Sequence, residues 1–389
     1  MLINELGVAD PSDVVVLDAR GVAGGATGRN GGHLWPNPAS DFEAATVAEL
    51  LAFIEREAVD CDLTRGGAAA FERSKPETGV EYHDAPDDPE AVGAEEEWGE
   101  VVQWDETACG TRVQTDAFVG AAHYEKAWQF FPAKVAAALL RKSRATLCTP
   151  VRVLAIEDAA ADDPWQRIRW ASGQDGEPST STGVLRARRV VVATNGWAAE
   201  LVPELKGHLY ATRNSVIMTA PLPSTEQWGI GAWSVDSDIG ARELYAIRRP
   251  DGRVCLGGAR ALEPGAAVGN SDDSSSSELV GAYLRDFLPR TFPALRGADG
   301  SVPIEAEWSG VLGFTTDGKP VVGPLPGRPE LIVAAGFCGH GMPQCFGVGK
   351  GVAQMLDGSP ERMGELHPFL RDECNVGRFG VGTGPSAST

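Results

Sequence analysis

Three short apolar runs, each followed directly by turn residues, constrain the fold more than any other feature of this sequence. They occupy residues 14–17, 189–193 and 331–335. Continuous apolar runs of this length are typical of strands buried on both faces of a parallel sheet. Long stretches of antiparallel character separate the three runs. The sequence therefore predicts an α/β nucleotide-binding sheet built from distant segments, with a second domain inserted between them.

Composition excludes several classes of protein. The chain has 389 residues, 43% of them hydrophobic, and a formal charge of −20, which indicates a globular protein of two or three domains. This charge would repel nucleic acid and an anionic membrane surface, so neither is expected as a partner. No run approaches the ~20 apolar residues of a membrane span. The seven cysteines lack CxxC or zinc-site spacing, so we expect no metal, no disulfide framework and a cytoplasmic location.

An acidic residue and a glycine-rich segment follow the first apolar run. Asp18 ends the run, and the segment at residues 24–32 begins six residues later. In dinucleotide-binding folds, an acid at the end of a strand accepts hydrogen bonds from ribose hydroxyls. Closely spaced glycines let the backbone approach a cofactor. The alternatives are that Asp18 is only a turn residue and that the segment is a flexible loop.

These two motifs together identify a family resemblance. Residues 15–20 (VVLDAR) and 25–32 (GATGRNGG) closely resemble the D-amino-acid-oxidase-like FAD oxidoreductases, which include glycine, sarcosine and γ-glutamylputrescine oxidases. The resemblance extends over essentially the whole chain. Further segments agree in order and spacing at residues 149–151, 192–197, 308–310, 316–324 and 335–341.

The resemblance implies a doubly wound, Rossmann-like FAD-binding domain with an inserted substrate domain of mixed, largely antiparallel β-sheet. The FAD domain is expected at residues 1–60, 130–205 and 310–375, the substrate domain at 61–129 and 206–309, and a disordered tail at 376–389. It assigns cofactor contacts to Asp18, Ala19, Arg20, Ala26, Thr27, Gly28, Arg29, Asn30, Gly31, Val151, Thr194, Asn195, Gly196, Trp197, Gly313, Gly336, Gly339, His340, Gly341 and Met342.

The segment around residues 336–344 also has a physical role in this scheme. Glycine-rich backbone at a helix N-terminus presents N–H groups and the positive end of a dipole. Such a helix start stabilises the negative charge of a reduced flavin. A nicotinamide enzyme would leave this segment without a role. The FAD is expected to be noncovalent, because the flavin-linking cysteine of sarcosine oxidases has no counterpart at residues 311–313 and Arg29 stands where other relatives link through histidine.

The resemblance implies oxidation of a C–N bond in an amine or amino acid, by hydride transfer to flavin N5, with molecular oxygen as the acceptor. A dehydrogenase with another acceptor remains an alternative. Pro343 replaces the lysine that pairs with the substrate carboxylate in sarcosine oxidases, so a sarcosine-like substrate is not favoured. Lys319 is expected to be structural or cofactor-side. The candidates for substrate contact, each of which could instead be a structural residue, are Arg213, Tyr245, Arg248, Trp308 and His340.

One departure from the family bears on activity. Family members begin with a strand and a GxGxxG motif that holds the pyrophosphate. Here residues 2–6 look like the last turn of a helix with Gly7 as its C-cap, and no GxGxxG precedes the run at 14–17. This suggests a truncated chain with unpaired strands beside the missing one. A catalytically inactive flavoprotein remnant is therefore a further alternative.

Overall fold

The computed structural model describes residues 10–37, 39–72, 101–113, 115–158, 163–173, 179–222, 232–237 and 240–380. The predicted helix end at residues 2–6 and most of the acidic insertion at 84–100 lie outside these ranges. The strands are β1 Val15–Leu17, β2 His33–Leu34, β3 Thr64–Glu72, β4 Val101–Asp105, β5 Phe118–Gln129, β6 Thr146–Cys148, β7 Val151–Glu157, β8 Gln166–Ser172, β9 Ser181–Ala187, β10 Val190–Val192, β11 Leu209–Thr219, β12 Ala232–Ser237, β13 Gly240–Arg248, β14 Val254–Gly258, β15 Ile304–Thr315, β16 Val321–Leu325 and β17 Arg328–Ala335.

The described ranges contain eight α-helices. They are α1 Ala26–Arg29, α2 Asp41–Arg56, α3 Glu106–Val113, α4 Pro132–Ser143, α5 Ala198–Leu201, α6 Glu278–Thr291, α7 Cys345–Asp357 and α8 Pro360–Gly364. The Ser40 side chain caps α2 by accepting from the Glu43 N–H, and Pro132 occupies the first turn of α4. In the described ranges, no helix combines the length and apolarity needed to cross a bilayer.

The three apolar runs all form strands, but they do not share one sheet. β10 pairs in parallel with β17, with Val190 opposite Leu331, and β16 adds an antiparallel neighbour. β1 instead pairs in parallel with β6. The expectation of one continuous sheet is therefore wrong for the described residues, because none of their strands bridges β1 and β10. The exposed fractions of Val15, Val16 and Val191 are 39%, 37% and 38%, which is high for valines in parallel strands.

The loops after β1 and β10 nevertheless meet. The Arg20 guanidinium lies over the Trp197 ring, 5.2 Å from its centroid. This cation–π contact joins the carboxyl ends of the two separate parallel pairs. Cofactors of doubly wound folds bind at the carboxyl ends of the strands, so the contact brings the predicted site residues of both pairs together.

The largest sheet has nine strands in the order β15-β11-β14-β13-β12-β3-β5-β2, with β4 also paired to β5. β12 and β3 run parallel, and the other pairs are antiparallel, as the sequence predicted for the inserted domain. Helix α6 covers one face through Leu284 and Phe287, which share a core cluster with Ile217 and Leu256. On the other face lie Val216, Tyr245, Ile247, Cys255 and Trp308.

The predicted domain boundaries cut through this sheet. β2 comes from the first predicted FAD segment but pairs with β5, and β15 runs across the boundary at residue 310. The division into two domains remains a prediction.

The expected disordered tail at 376–389 is wrong at its start. Residues 376–379 form a 3₁₀ helix in which Val376 is buried. Arg378 donates to Asp317 at 2.6 Å, and this bond lowers the pKa of Asp317 to about 2. Residues 381–389 lie outside the described ranges.

Candidate cofactor site

Asp18 and Val151 lie next to each other, as expected for the ribose and adenine end of a dinucleotide. The Val151 N–H donates to the Asp18 carbonyl at 2.8 Å. The Asp18 Oδ1 atom accepts from the backbone N–H groups of Arg20 and Gly21, each at 2.8 Å. Asp18 therefore shapes the turn after β1 that contains Ala19, and its carboxylate has a second oxygen for a ribose hydroxyl.

Arg20 and Arg29, both predicted to contact the cofactor, hold a buried acid from the inserted domain. Arg20 donates to both oxygens of Asp273 at 2.7 Å, and Arg29 lies 3.6 Å from the same carboxylate. Arg29 also donates to the carbonyls of Ser309 and Gly24, at 2.7 and 3.0 Å. The polar segment at residues 270–277 would be expected to be solvated, but the side chain of Asp273 is 4% exposed because the two arginines enclose it.

The glycine-rich segment packs mostly against the protein itself. A side chain at Gly28 would strike the Ala23 carbonyl, and one at Gly31 would strike Ile247 and Tyr245. Gly25, just before α1, has open space around it. The density of glycine is therefore explained in part by close packing, and Gly25 is where a ligand can approach. Within α1 lie Ala26 and Thr27, whose carbonyls accept from the Asn30 side-chain amide at 2.9 and 3.1 Å.

Asn195 joins the ends of β10 and β17. Its Oδ1 atom accepts from the N–H groups of Gly336 and Phe337, at 2.9 and 3.4 Å. Its φ of +46° is in the left-handed region, which Asn tolerates better than most residues. A side chain at Gly313 would lie 2.5 Å from the same Oδ1 atom, and one at Gly196 would lie 2.8 Å from the Leu312 carbonyl. Thr194 and Trp197 flank Asn195 in this tight turn, whose interactions are with protein.

The turn after β17 presents unpaired backbone donors. Cys338 N–H donates to the Gly313 carbonyl and His340 N–H to the Phe337 carbonyl, each at 2.7 Å. Among the described residues, the N–H groups of Gly339, Gly341 and Met342 have no acceptor. Helix α7 begins at Cys345, directly after the segment at residues 336–344 that was expected to lie at a helix N-terminus. These three predicted cofactor contacts therefore keep donors free at the positive end of a helix.

Glu43 anchors this turn and was not predicted. It lies in α2, is 3% exposed, and accepts from His340 Nε2 at 2.8 Å, Gln344 Nε2 at 2.6 Å and the Asn37 N–H at 2.7 Å. Burial alone would raise the pKa of Glu43, but the bond and charge of His340, with the other two bonds, lower it. The sequence carries one signal, since Glu43 occupies the apolar row of α2 together with Val47.

Four of the five candidate substrate residues have a polar group bonded to the protein. Arg213 pairs with Glu263 at 3.0 Å, Trp308 Nε1 donates to the Arg29 carbonyl at 2.9 Å, and His340 bonds Glu43. Tyr245 is partly buried, its hydroxyl accepts from the Asn214 amide at 3.3 Å, and burial raises its pKa. Arg248 has a buried Nε without a partner in the described part of the chain. Lys319 pairs with Glu373 at 2.7 Å, which is a structural role.

His33 is a second residue that sequence reasoning missed. It follows the glycine-rich segment directly and begins β2. Burial lowers its pKa to about 4, and its Nε2 atom has no partner among the described residues. A neutral imidazole beside the predicted cofactor loop is available to a ligand, and its only sequence signal is its place after Gly32.

The geometry is compatible with a dinucleotide cofactor. A second Asp18 carboxylate oxygen, the open space around Gly25 and the free donors of the turn after β17 together fit FAD. Residues 5–355 match the family model described as FAD dependent oxidoreductase (DAO). The chain therefore belongs to the DAO family of FAD-dependent oxidoreductases, whose cofactor is FAD.

Individual relatives have low sequence identity to this chain but align over most of its length. The chain is 24% identical over 371 residues to γ-glutamylputrescine oxidoreductase of Escherichia coli K12, covering 90% of this chain and 79% of that protein. It is 24% identical to the probable oxidoreductase OrdL of Rhizobium meliloti strain 1021, and this match covers 89% of this chain and 78% of that protein. Glycine oxidase from Geobacillus kaustophilus has a similar fold, with a TM-score of 0.64 at 19% identity over 89% of this chain and 88% of that one. L-Amino acid deaminase from Proteus myxofaciens has a similar fold, with a TM-score of 0.68 at 13% identity. The match covers 94% of this chain and 88% of that one.

Proposed function

We propose that this protein oxidises the C–N bond of a small amine or amino acid, with FAD as the cofactor. The observation that carries the proposal is the turn at residues 337–344, where Gly339, Gly341 and Met342 keep free N–H groups beside the glycine-rich segment. The names of glycine oxidase, γ-glutamylputrescine oxidoreductase and L-amino acid deaminase support the substrate class.

Different residues are proposed to bind different parts of the cofactor. Asp18 accepts from the ribose, and Val151 lies beside it at the adenine end. The free N–H groups of the turn, at the start of α7, would hold the flavin by donating to its carbonyl oxygens and would stabilise negative charge on the reduced ring. Glu43 holds His340 and Gln344, and thereby fixes the turn. When bound, FAD supplies a two-electron acceptor, so that the amine becomes an imine and the electrons pass on to oxygen.

Catalysis in this scheme is mostly positioning. The face of the nine-stranded sheet that carries Tyr245 and Trp308 packs against the end of the glycine-rich segment at Gly31 and so positions it. Noncovalent FAD is part of the proposal, and is supported by the engagement of Arg29 with Ser309 and Gly24. The free thiols of the described cysteines support a reducing, cytoplasmic location.

Two alternatives have specific support. In the described ranges, one edge of β1 and one edge of β10 have no strand partner, and their valines are exposed, which favours a chain that holds FAD weakly and has little activity. A dehydrogenase that passes electrons to another acceptor would use the same site.

The first test is the absorbance spectrum of the purified chain after incubation with FAD and gel filtration. Retained flavin absorbance near ~450 nm at close to one FAD per chain supports the proposal, whereas a colourless protein supports the remnant. A panel of amines and amino acids then follows, with peroxide release measured beside dye reduction without oxygen. Dye reduction without peroxide identifies the dehydrogenase.

A further inference from the structure

Two buried polar atoms belong to side chains that are paired across β2 and β5. His33 and Gln129 are directly opposed in this antiparallel pair, so their side chains point to the same face, with Cβ atoms about 5 Å apart. The His33 Nε2 and Gln129 Oε1 atoms are shielded from solvent and have no hydrogen-bond partner in the described ranges. A buried polar atom without a partner is costly, which makes this pair a candidate for binding a ligand.

Both atoms are fixed as acceptors. Gln129 Nε2 donates to the Arg248 carbonyl at 2.7 Å, which orients the amide and leaves Oε1 free. The imidazole of His33 is bonded to the Ala246 backbone, and this bond raises its pKa, as expected when the ring is the donor. Burial outweighs the bond and lowers the pKa to about 4, so the ring is neutral and carries one N–H. Nε2 therefore presents a lone pair.

Aromatic rings surround the two acceptors. The His33 ring lies 5.9 Å from Tyr245 and 6.0 Å from Trp35, and Trp35 lies 5.0 Å from Tyr124. Aromatic faces attract cations, most strongly where water is excluded. The cluster also adjoins the predicted flavin loop, because Gly31 packs on Tyr245.

We propose that His33 Nε2 and Gln129 Oε1 form the subsite for the ammonium group of a small primary amine or amino acid. This inference rests on the proposed amine chemistry. An ammonium group offers three N–H donors and no acceptor, which complements two fixed acceptors within aromatic walls. An alcohol offers one donor without charge, and a carboxylate would meet two acceptors and be repelled.

The test is calorimetric titration of the purified full-length chain, in its FAD-loaded form where FAD is retained. The ligands are n-butylamine, butan-1-ol and butyrate. We expect butylamine to bind one to one, and the other two to bind at least about tenfold more weakly. His33→Phe keeps the ring without Nε2, and Gln129→Leu keeps the volume without Oε1. Each should weaken butylamine binding by about tenfold or more.

Two control variants match these changes elsewhere in the fold. His208→Phe replaces a histidine stacked on Phe379, and Gln166→Leu replaces a buried glutamine whose amide donates to the Glu330 carbonyl. Both should bind butylamine like the unmodified chain. If His33→Phe and Gln129→Leu do not fold, as judged by circular dichroism, the relative affinities of the three ligands for the unmodified chain test the proposed subsite.

Absence of saturable butylamine binding, equal binding of butan-1-ol, or equal losses in control and site variants would overturn the inference. A chain that retains FAD and oxidises amines with an unchanged KM in His33→Phe refutes the subsite and leaves the proposed function standing. Butylamine binding by a chain that retains no FAD refutes the proposed function and leaves the subsite.

Discussion

Arg20 and Asp273 form a two-bonded ion pair that ties the turn after β1 to the loop before α6, with both N–O distances at 2.7 Å. The Asp273 side chain is 4% exposed, whereas that of Arg20 is 26% exposed. Removing the arginine leaves a buried carboxylate with one remaining cation, Arg29, at 3.6 Å. Arg20→Met should therefore lower the free energy of unfolding by about 3 kcal/mol, measured by urea denaturation.

The matched control for this ion pair is Arg186→Met. Arg186 pairs with Asp163 at 2.7 Å, but its side chain is 56% exposed, and exposed pairs contribute about 1 kcal/mol or less. Equal losses in Arg20→Met and Arg186→Met would show that Asp273 is not held as a buried anion.

Asp18 is expected to serve both the turn and the ribose, and two variants separate these roles. Asp18→Asn keeps an oxygen for the Arg20 and Gly21 N–H groups but loses the charge, whereas Asp18→Ala loses both. FAD affinity, measured by quenching of flavin fluorescence, should fall about tenfold in Asp18→Asn and further in Asp18→Ala. Unchanged affinity in both variants would exclude the ribose contact.

Asn195 is expected to hold the cofactor turn indirectly. Asn195→Ala loses the bonds to the Gly336 and Phe337 N–H groups and places alanine at a positive φ. We expect a loss of about 2 kcal/mol in the free energy of unfolding and reduced FAD retention after gel filtration. Asn195→Asp keeps the acceptor and should retain more FAD than Asn195→Ala. The opposite order would contradict the role of Oδ1.

The lowered pKa of His33 leads us to expect that the stability of the folded protein depends on pH. Its folded-state pKa is about 4, below the unfolded value of 6.5, so the unfolded chain binds more protons between these pH values. Its contribution to stability is therefore full above pH 6.5 and falls as the pH drops towards 4, by about 3 kcal/mol in total. Denaturant unfolding at pH 7, 6, 5 and 4.5 should show this decline, and His33→Phe should lack it. Parallel curves for the two proteins would refute the prediction.

Arg248 is expected to favour the binding of amino acids over that of simple amines. Its carbonyl accepts from Gln129, and its buried Nε is a donor without a partner in the described part of the chain, which suits a substrate carboxylate. Arg248→Met should weaken 2-aminobutyrate binding about tenfold and leave n-butylamine within about twofold, by calorimetric titration. Equal effects on both ligands would remove Arg248 from carboxylate recognition.

The sequence predicted those features that depend on neighbours in the chain. The apolar runs and the turn residues after them are local patterns, so the strands near residues 15, 190 and 331 were placed within a few residues. The mixed, largely antiparallel sheet was also predicted, although its pairing order was not.

The missed features depend on contacts between distant segments. Asp273 lies in a polar, low-complexity stretch, and only its meeting with Arg20, 253 residues away, buries it. Glu43 and His340 are 297 residues apart, and the register that sets His33 opposite Gln129 spans β2 and β5. No local pattern encodes such pairings. The single-sheet expectation was wrong for the same reason, because strand type is readable in a run of valines and partner choice is not.

The open edges of β1 and β10 have a consequence for how the protein behaves in solution. Within the part of the chain that the structure describes, each edge has backbone groups without a strand partner beside valines that are more than a third exposed. Such an edge accepts any extended chain that comes near it, including an edge of another copy. Protein concentration, as well as cofactor supply, therefore governs how much of this protein stays monodisperse, and dilute handling with excess FAD is the natural condition for its study.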